Sequence, residues 1–386
     1  THFKNLDKGN LVILAFSGGG TRAAAFSYGV LEFLRNNEVV APNGARIRLI
    51  DAVNIITGVS GGSFTALAYG LYGDKLFDDY EQRFLKRDVQ GELVARAFSP
   101  GNWGRLSSTA WGRSELAAEL YDEILFNNAT YGDLDRGNGP FILVSATDIS
   151  TGGRVVFQQP IFNVFCSDLD AVKLSRAASA SSAVPVVLSP VTINNYGGTC
   201  NNVLPPWTQA FEGQNPPRPA ARAIRELRDL NTYNDSVHHP YIHLVDGGVS
   251  DNLGMRGVLD ALNILEALRE AGLPSPLDHV RRIIVLVVNS LSSPPNKWDE
   301  SEEPPNTVDV LLKAAGTPID HYSYEATEQL KDIAAQWRAE HRLRDLAGCS
   351  TNKNSPVCGA VTPRTPRSTP SMCRLRSSRT RRSAIT

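Results

Sequence analysis

Three short stretches hold the residue types that could do chemistry. The first is Gly58-Val59-Ser60-Gly61-Gly62, a GxSxG pattern between the apolar run IDAVNIIT and the small-residue run SFTALAYGLYG. In that setting Ser60 stands on a tight strand-to-helix turn. Small residues at Gly58 and Gly62 let the backbone reverse without Cβ clashes, and the following helix aims its N-terminal N–H groups at developing negative charge. A serine hydroxyl is a poor nucleophile near neutral pH and needs a base within hydrogen-bond reach. Asp246, which ends YIHLVD and precedes Gly247 and Gly248, is the carboxylate placed to serve. Open α/β sheets put their sites beyond the carboxyl ends of the strands, where this side chain would point. Taken singly, each feature also has an ordinary reading: a helix-capping serine in a glycine turn, and an Asp-Gly turn with a structural aspartate.

Alternatives to Asp246 are few. Asp148 closes FILVSATD and Asp251 lies close in sequence, so both are secondary candidates. A Ser, acid, His chain order would put a histidine late in the chain, in a loop after a strand. His279 precedes its strand, His321 and His341 fall in helical sequence, and His243 lies inside YIHLVD. None is placed as the histidine of a triad.

The third stretch, LAFSGGGTRAAAF, holds Gly18, Gly19 and Gly20 together with Arg22. It lacks the Gly-Lys pair of a phosphate-binding P-loop, and Ala23 stands where a dinucleotide fingerprint needs its last glycine. Consecutive glycines before a helix can instead aim backbone N–H groups at a carbonyl oxygen becoming negative, which makes an oxyanion hole. Arg22 steadies that loop or faces a phosphate head group.

The elements that must position these residues follow from hydrophobic period. LVILAF reads as a buried strand, and AAAFSYGVLEFLRNN puts Phe26, Val30, Phe33 and Leu34 on one helical face. The strand-glycine-helix pattern repeats at GVSGG. FILVSATD and YIHLVD read as strands, and RRIIVLVVN as a strand buried on both faces, following a helix near LGMRGVLDALNILEALREAG. Alternating strands and helices give an α/β class. KLFDDYEQRFLKRDVQ, SELAAELYDEILF and VDVLLKAA are amphipathic, and TPIDHYSYEATEQLKDIAAQWRAEHRLRDL reads as one long terminal helix. Clustered Asn, Gly and Pro over residues 194–240, around the helical patch ARAIRELRDL, read as an insertion over the fold.

Bulk properties bound the rest. The chain has 386 residues, 42% of them hydrophobic, enough for a sizeable core. Its longest aliphatic run, IIVLVV at 283–288, is far short of a membrane span of roughly 20 residues. Any membrane contact is therefore expected to be peripheral. The chain opens on Thr1 rather than Met, so localisation stays open, with an envelope or secreted setting permitted by a trimmed start. The five cysteines show neither CxxC spacing nor a zinc pattern, and the reading expects no metal site and no disulfide framework. The net charge of −1 conceals a basic tail. Residues 346–386 carry eight basic side chains and no acidic one, leaving −9 on the remainder. With its Ser, Thr, Pro and Arg content this tail is expected to be disordered and attracted to anionic lipid, and no nucleic-acid function is read from it.

Taken in order, SGGGTRA, GVSGG and VDGG resemble the patatin-like phospholipase family. A fourth stretch, LSRAASASSAVPVV, is similar to that family's Ala/Ser-rich helix ending near a proline, here Pro185. The resemblance covers about residues 11–290 and departs at Ala23, where many members have glycine. It implies a three-layer α/β/α sandwich around a central, mostly parallel sheet. The catalytic domain is expected over 1–345, while the insertion at 194–240 and the tail at 346–386, read from composition, lie outside the family pattern. Carried over position by position, Ser60 is the nucleophile, Asp246 its only protein partner in a dyad without histidine, and Gly18, Gly19, Gly20 and Arg22 the oxyanion loop. The implied activity is metal-independent and cofactor-free hydrolysis of phospholipids or other lipid esters at a membrane surface. Acyl transfer through the same dyad, and a non-catalytic module using the glycine loop as a phosphate nest, remain alternatives at this point.

Overall fold

A computed structural model describes residues 9–40, 44–106, 112–134, 139–185, 187–201, 204–211, 221–270, 272–273, 280, 282–291, 298–300 and 302–351. The chain divides into two compact units, Thr1–Glu328 and Gln329–Thr386. Among the described residues, the first carries all the strands and the candidate site. In the second, the described residues continue the helix Thr307–Thr351.

Strands β1 (Asn10–Phe16), β4 (Ile55–Val59), β5 (Phe141–Asp148) and β9 (Arg282–Val288) run parallel to their neighbours in the order β5-β4-β1-β9. On the far side of β5 the sheet turns antiparallel, with β8 (Tyr241–Val245) and then β7 (Val191–Asn194), while β6 (Arg154–Val156) pairs β5 antiparallel. A small hairpin, β2 (Glu38–Val40) with β3 (Arg46–Arg48), stands apart. With helices packed on the sheet, this is the expected α/β/α arrangement, its parallel strands forming the half that holds the first two glycine turns.

Helix α1 (Gly20–Asn36) follows β1 and helix α2 (Gly61–Tyr72) follows β4. α2 is buried from Gly61 to Tyr69, which explains its almost wholly apolar and small composition. Among its residues Leu67 is fully buried, and Phe64 stacks on Phe84 and meets Tyr121 edge-on. α1 buries Ala23, Ala24, Ser27, Tyr28, Val30, Leu31 and Leu34. The stripe expected from aromatics is thus centred on alanines instead, which let α1 approach α2 closely, and Phe26 and Phe33 are left 37% and 48% exposed.

Two further expectations change. β9 is not buried on both faces: it forms the edge of the described sheet, and Ile283–Val287 are only half-buried. Its apolar run continues to the edge of the described sheet, where every residue from Ile283 to Val287 keeps partial exposure. The cysteine reading is also corrected, because Cys166 and Cys200 form a disulfide with Cα atoms 5.7 Å apart. The bridge ties the turn after the helix Gln159–Val164 to the loop after β7. Only the chain reversal between them brings the two together, so sequence spacing carried no signal. The region 194–240 begins with the end of β7 and includes the helix Ala221–Tyr233, which packs on the helix Arg256–Glu270 through Ala223, Leu227 and Ala267, with Phe211. The tail from 352 onward and His279 lie outside the described residues.

Candidate active site

Sheet register brings the candidate nucleophile and base to one level. Val59 lies opposite Ser145 in the parallel β4–β5 pair, and Val245 opposite Thr147 in the antiparallel β5–β8 pair. Continuing each register by one residue puts Ser60 and Asp246 both level with Ala146, on opposite sides of β5, where both chains leave the sheet.

Ser60 takes φ 49° and ψ −122°, a conformation that costs a non-glycine residue of order 1–3 kcal/mol. The surroundings over-determine it. Its buried N–H donates to Ser181 Oγ at 2.9 Å, and Ser181 Oγ in turn donates to Ser145 O at 2.8 Å. Its carbonyl accepts from Ser63 N at 3.0 Å and Ser63 Oγ at 2.6 Å. The flanking glycines are required by packing. A Cβ on Gly58 would lie 2.8 Å from Ser63 Cα, and one on Gly62 would lie 2.7 Å from Ser17 O. Gly61, which the bare motif leaves free, is the most crowded, since a Cβ there would overlap the carbonyl of Gly20.

Asp246 Oδ2 accepts a hydrogen bond from Ser60 Oγ at 2.7 Å, and its Oδ1 accepts from Gly248 N at 2.7 Å. The backbone is fixed as firmly: Asp246 N donates to Ala183 O, Gly247 N to Ser181 O, and Thr147 Oγ1 to Asp246 O, each at 2.9 Å. Burial pushes the carboxyl pKa up to about 6, against the opposing pull of the bonds from Ser60 and Gly248. Gly247 is needed because a side chain there would strike the Ser145 carbonyl.

The glycine loop lies against this pair. A Cβ on Gly18 would come within 3.3 Å of Ser60 Cβ. Gly18 N donates to Asn252 O at 2.8 Å, so of the three glycines expected to offer donors this one has its N–H engaged and acts as a spacer. Gly19 and Gly20, at φ 133° and 62°, open α1 with exposed backbone. Ser290 braces the loop from the end of β9: its Oγ donates to Gly18 O at 2.7 Å, and its N–H to Ser17 Oγ at 2.9 Å. Arg22 Nε donates to Ser290 O at 3.1 Å, completing the brace from α1.

The alternates are occupied elsewhere. Asp148 accepts from Ser150 N, Thr151 Oγ1 and Tyr233 OH, and Asp251 from Met255 N and Arg256 N at the start of the following helix. His243 Nδ1 pairs with Thr192 Oγ1. Among the described residues no histidine bonds to Ser60 or Asp246, and no group of three or more His, Cys, Asp or Glu is placed to hold a metal ion. No helix among them is long and apolar enough to cross a membrane. Sequence reasoning missed Ser181, Asn252 and Ser290. Ser181 sits inside the Ala/Ser-rich run LSRAASASSAVPVV, which marks it only as one of a block, whereas Asn252 and Ser290 carry no signal of their own.

Comparison with known proteins adds to this geometry. Residues 14–259, more than half of the chain, match the sequence model of the family described as Patatin-like phospholipase. A search of the curated proteins finds no match. Solved structures similar to the chain include human GIVD cytosolic phospholipase A2, 16% identical over 71% of this chain and 50% of that one, with a TM-score of 0.35. The same human protein in complex with methyl gamma-linolenyl fluorophosphonate and terbium chloride is 22% identical over 39% of this chain and 23% of that one, with a TM-score of 0.25. The chain thus spans half or less of the length of these proteins. The stretch matched by the family model runs from the first strand through the glycine loop, Ser60 and Asp246, and the chain belongs to the patatin-like phospholipase family.

Proposed function

We propose that the protein cleaves carboxylic esters of phospholipids, as a phospholipase A or lysophospholipase, through an acyl-serine intermediate formed on Ser60 with Asp246 as the base. The observation that carries this reading is the 2.7 Å hydrogen bond from Ser60 Oγ to a buried carboxylate whose other oxygen is held by a backbone amide. Ser60 Oγ bonds to the ester carbonyl carbon while its proton passes to Asp246 and an electron pair moves onto the carbonyl oxygen. The amides of Gly19 and Gly20, at the positive end of α1, meet that oxygen. The intermediate collapses, the alcohol leaves with the proton from Asp246, and the acyl group stays on Ser60. Water then attacks with Asp246 again as the base, releasing the fatty acid and restoring the serine. A desolvated carboxylate suits both steps, because a base with a pKa near 6 is ionised at neutral pH yet holds a proton better than an exposed aspartate. Arg22 supports the loop through Ser290, and the substrate reaches the site from a lipid surface on which the protein sits peripherally.

Covalent labelling by a fluorophosphonate, located by peptide mapping and paired with release of fatty acid from phosphatidylcholine vesicles, tests the proposal. Labelling at Ser60, with loss of turnover in Ser60→Ala and Asp246→Asn, is the expected result. Full turnover in either variant would refute it. Added glycerol or lysolipid appearing as an acylated product would redirect the reading to acyl transfer.

A further inference from the structure

The Asn252 side chain occupies a place in the site that the dyad and the glycine loop leave unexplained. Asn252 ends the short helix Gly248–Asp251, six residues beyond Asp246. Its carbonyl takes the N–H of Gly18, which withdraws that amide from any role toward substrate. Its carboxamide lies between two critical loops: a Cβ added to Gly18 would overlap Asn252 Oδ1, and one added to Gly248 would stand 2.9 Å from the same atom. Gly18 approaches the Ser60 side chain, and Gly248 holds Asp246. The carboxamide therefore sits beside the reacting pair. It is half-buried and has no hydrogen-bond partner among the described residues.

The carboxamide is not among the buried polar groups left without a partner, so it stays open to solvent and is free to exchange water for a bound group. Both adjoining positions are glycine, and both lack the Cβ that would close the space around it. A half-turn about χ2 exchanges its nitrogen and oxygen, so the group can present N–H toward the space beside Ser60. We propose that Asn252 is a catalytic residue whose side-chain amide donates a hydrogen bond to the carbonyl oxygen of the bound ester as it becomes negative. Asn252 thus removes one backbone donor, that of Gly18, and supplies a side-chain donor in its place. The oxyanion is then met by two kinds of group: backbone N–H at the start of α1 and the Asn252 amide approaching from the Asp246 side. This inference rests on the proposed Ser60 hydrolase chemistry.

The test compares wild type, Asn252→Ala and Asn252→Asp on a short-chain nitrophenyl ester, with kcat and KM separated, alongside the rate of fluorophosphonate labelling at Ser60. Loss of one oxyanion donor lowers kcat by about 10²- to 10³-fold, and KM should stay within about threefold because the interaction forms in the transition state. Asn252→Asp keeps the side-chain volume but replaces the donor with an anion, so it should lose at least as much, and labelling should slow in parallel in both variants. If Asn252→Ala fails to fold, Asn252→Asp decides alone. A kcat within threefold of wild type in a folded variant overturns the inference, as does a loss confined to KM. A wild-type protein without Ser60-dependent turnover would instead sink the hydrolase reading, so the two failures are distinct.

Discussion

Asp246→Asn separates the two effects of burying the carboxylate proposed as the base. Asp246 titrates at 3.8 when unfolded and at about 6 in the folded protein. At about 1.36 kcal/mol per pKa unit this difference corresponds to about 3 kcal/mol. The sign follows from proton uptake. The folded state binds the proton more tightly, so the stabilisation exists below pH 3.8 and is lost as pH rises through about 6. Above that point the folded protein carries an ionised group that burial disfavours. Asparagine never ionises. It can still accept the Gly248 N–H on Oδ1 while its amide faces Ser60 Oγ, so the packing is retained. The variant should therefore match wild type near pH 4 and exceed it by up to about 3 kcal/mol above pH 6.5. Urea denaturation followed by tryptophan fluorescence at pH 4, 5, 6 and 7.5 measures this difference. Glu226, pushed up to about 7 by burial, and Asp251, also raised by burial, titrate in both chains and cancel in the subtraction. Turnover should move the opposite way: wild-type kcat should fall about tenfold per pH unit below 6, and the variant should lose about 10²- to 10⁴-fold above pH 6.5, the gap narrowing as the wild-type base is protonated. A stability difference that is equal at pH 4 and pH 7.5 would refute the desolvation argument. Wild-type turnover that stays flat to pH 5 would refute the role of Asp246 as base.

Other outcomes follow from the same contacts. Ser181→Ala removes the acceptor of the Ser60 N–H and the donor to Ser145 O, leaving both groups buried without a partner. It should cost about 1–3 kcal/mol in urea denaturation and lower kcat, whereas the neighbouring Ser182→Ala should retain kcat. Gly61→Ala puts a methyl group into the Gly20 carbonyl, so fluorophosphonate labelling should fall below detection even where circular dichroism shows a retained fold. Replacing Cys166 and Cys200 together by serine opens a closure spanning 34 residues. Stability should drop by about 2–4 kcal/mol while kcat on a soluble ester remains within twofold.

The sequence made the strand-turn-helix units legible because each compresses three signals into a dozen residues: an apolar run, a glycine turn and a small-residue helix. Ser60 and Asp246 could be named because each ends a strand and precedes glycine. Their meeting could not be read, because it depends on β8 joining β5 antiparallel and overlapping it by only two residues, Thr147 and Asp148. Periodicity also misassigned the outer face of α1. A phenylalanine weighs heavily in any hydrophobic pattern, yet Phe26 and Phe33 are exposed while Ala23 and Ala24 are buried, and Ala24 O accepts from Thr65 Oγ1 of α2. The disulfide was invisible for a different reason, since Cys166 and Cys200 meet only after β7 has folded back past the Gln159–Val164 helix.

In the proposed dyad, the surroundings of Asp246 take the part that a histidine plays in a triad. An imidazole titrates near neutrality without help, whereas an exposed aspartate would hold a proton too weakly to draw one from serine. Burying the carboxylate narrows that gap, and the bonds from Ser60 and Gly248 limit the rise to about 6 rather than letting the group become neutral at pH 7. The same packing that raises the pKa also fixes the geometry. Gly247 lies against Ser145, Ser181 holds both the Ser60 amide and the Gly247 amide, and Thr147 holds the Asp246 carbonyl. Strain at Ser60 and desolvation at Asp246 are therefore borne by one cluster at the end of β5. Ser181→Ala removes the hydroxyl that holds the Ser60 amide but keeps the carbonyl that holds the Gly247 amide, so it should lower kcat through the position of Ser60 while Asp246 stays in place.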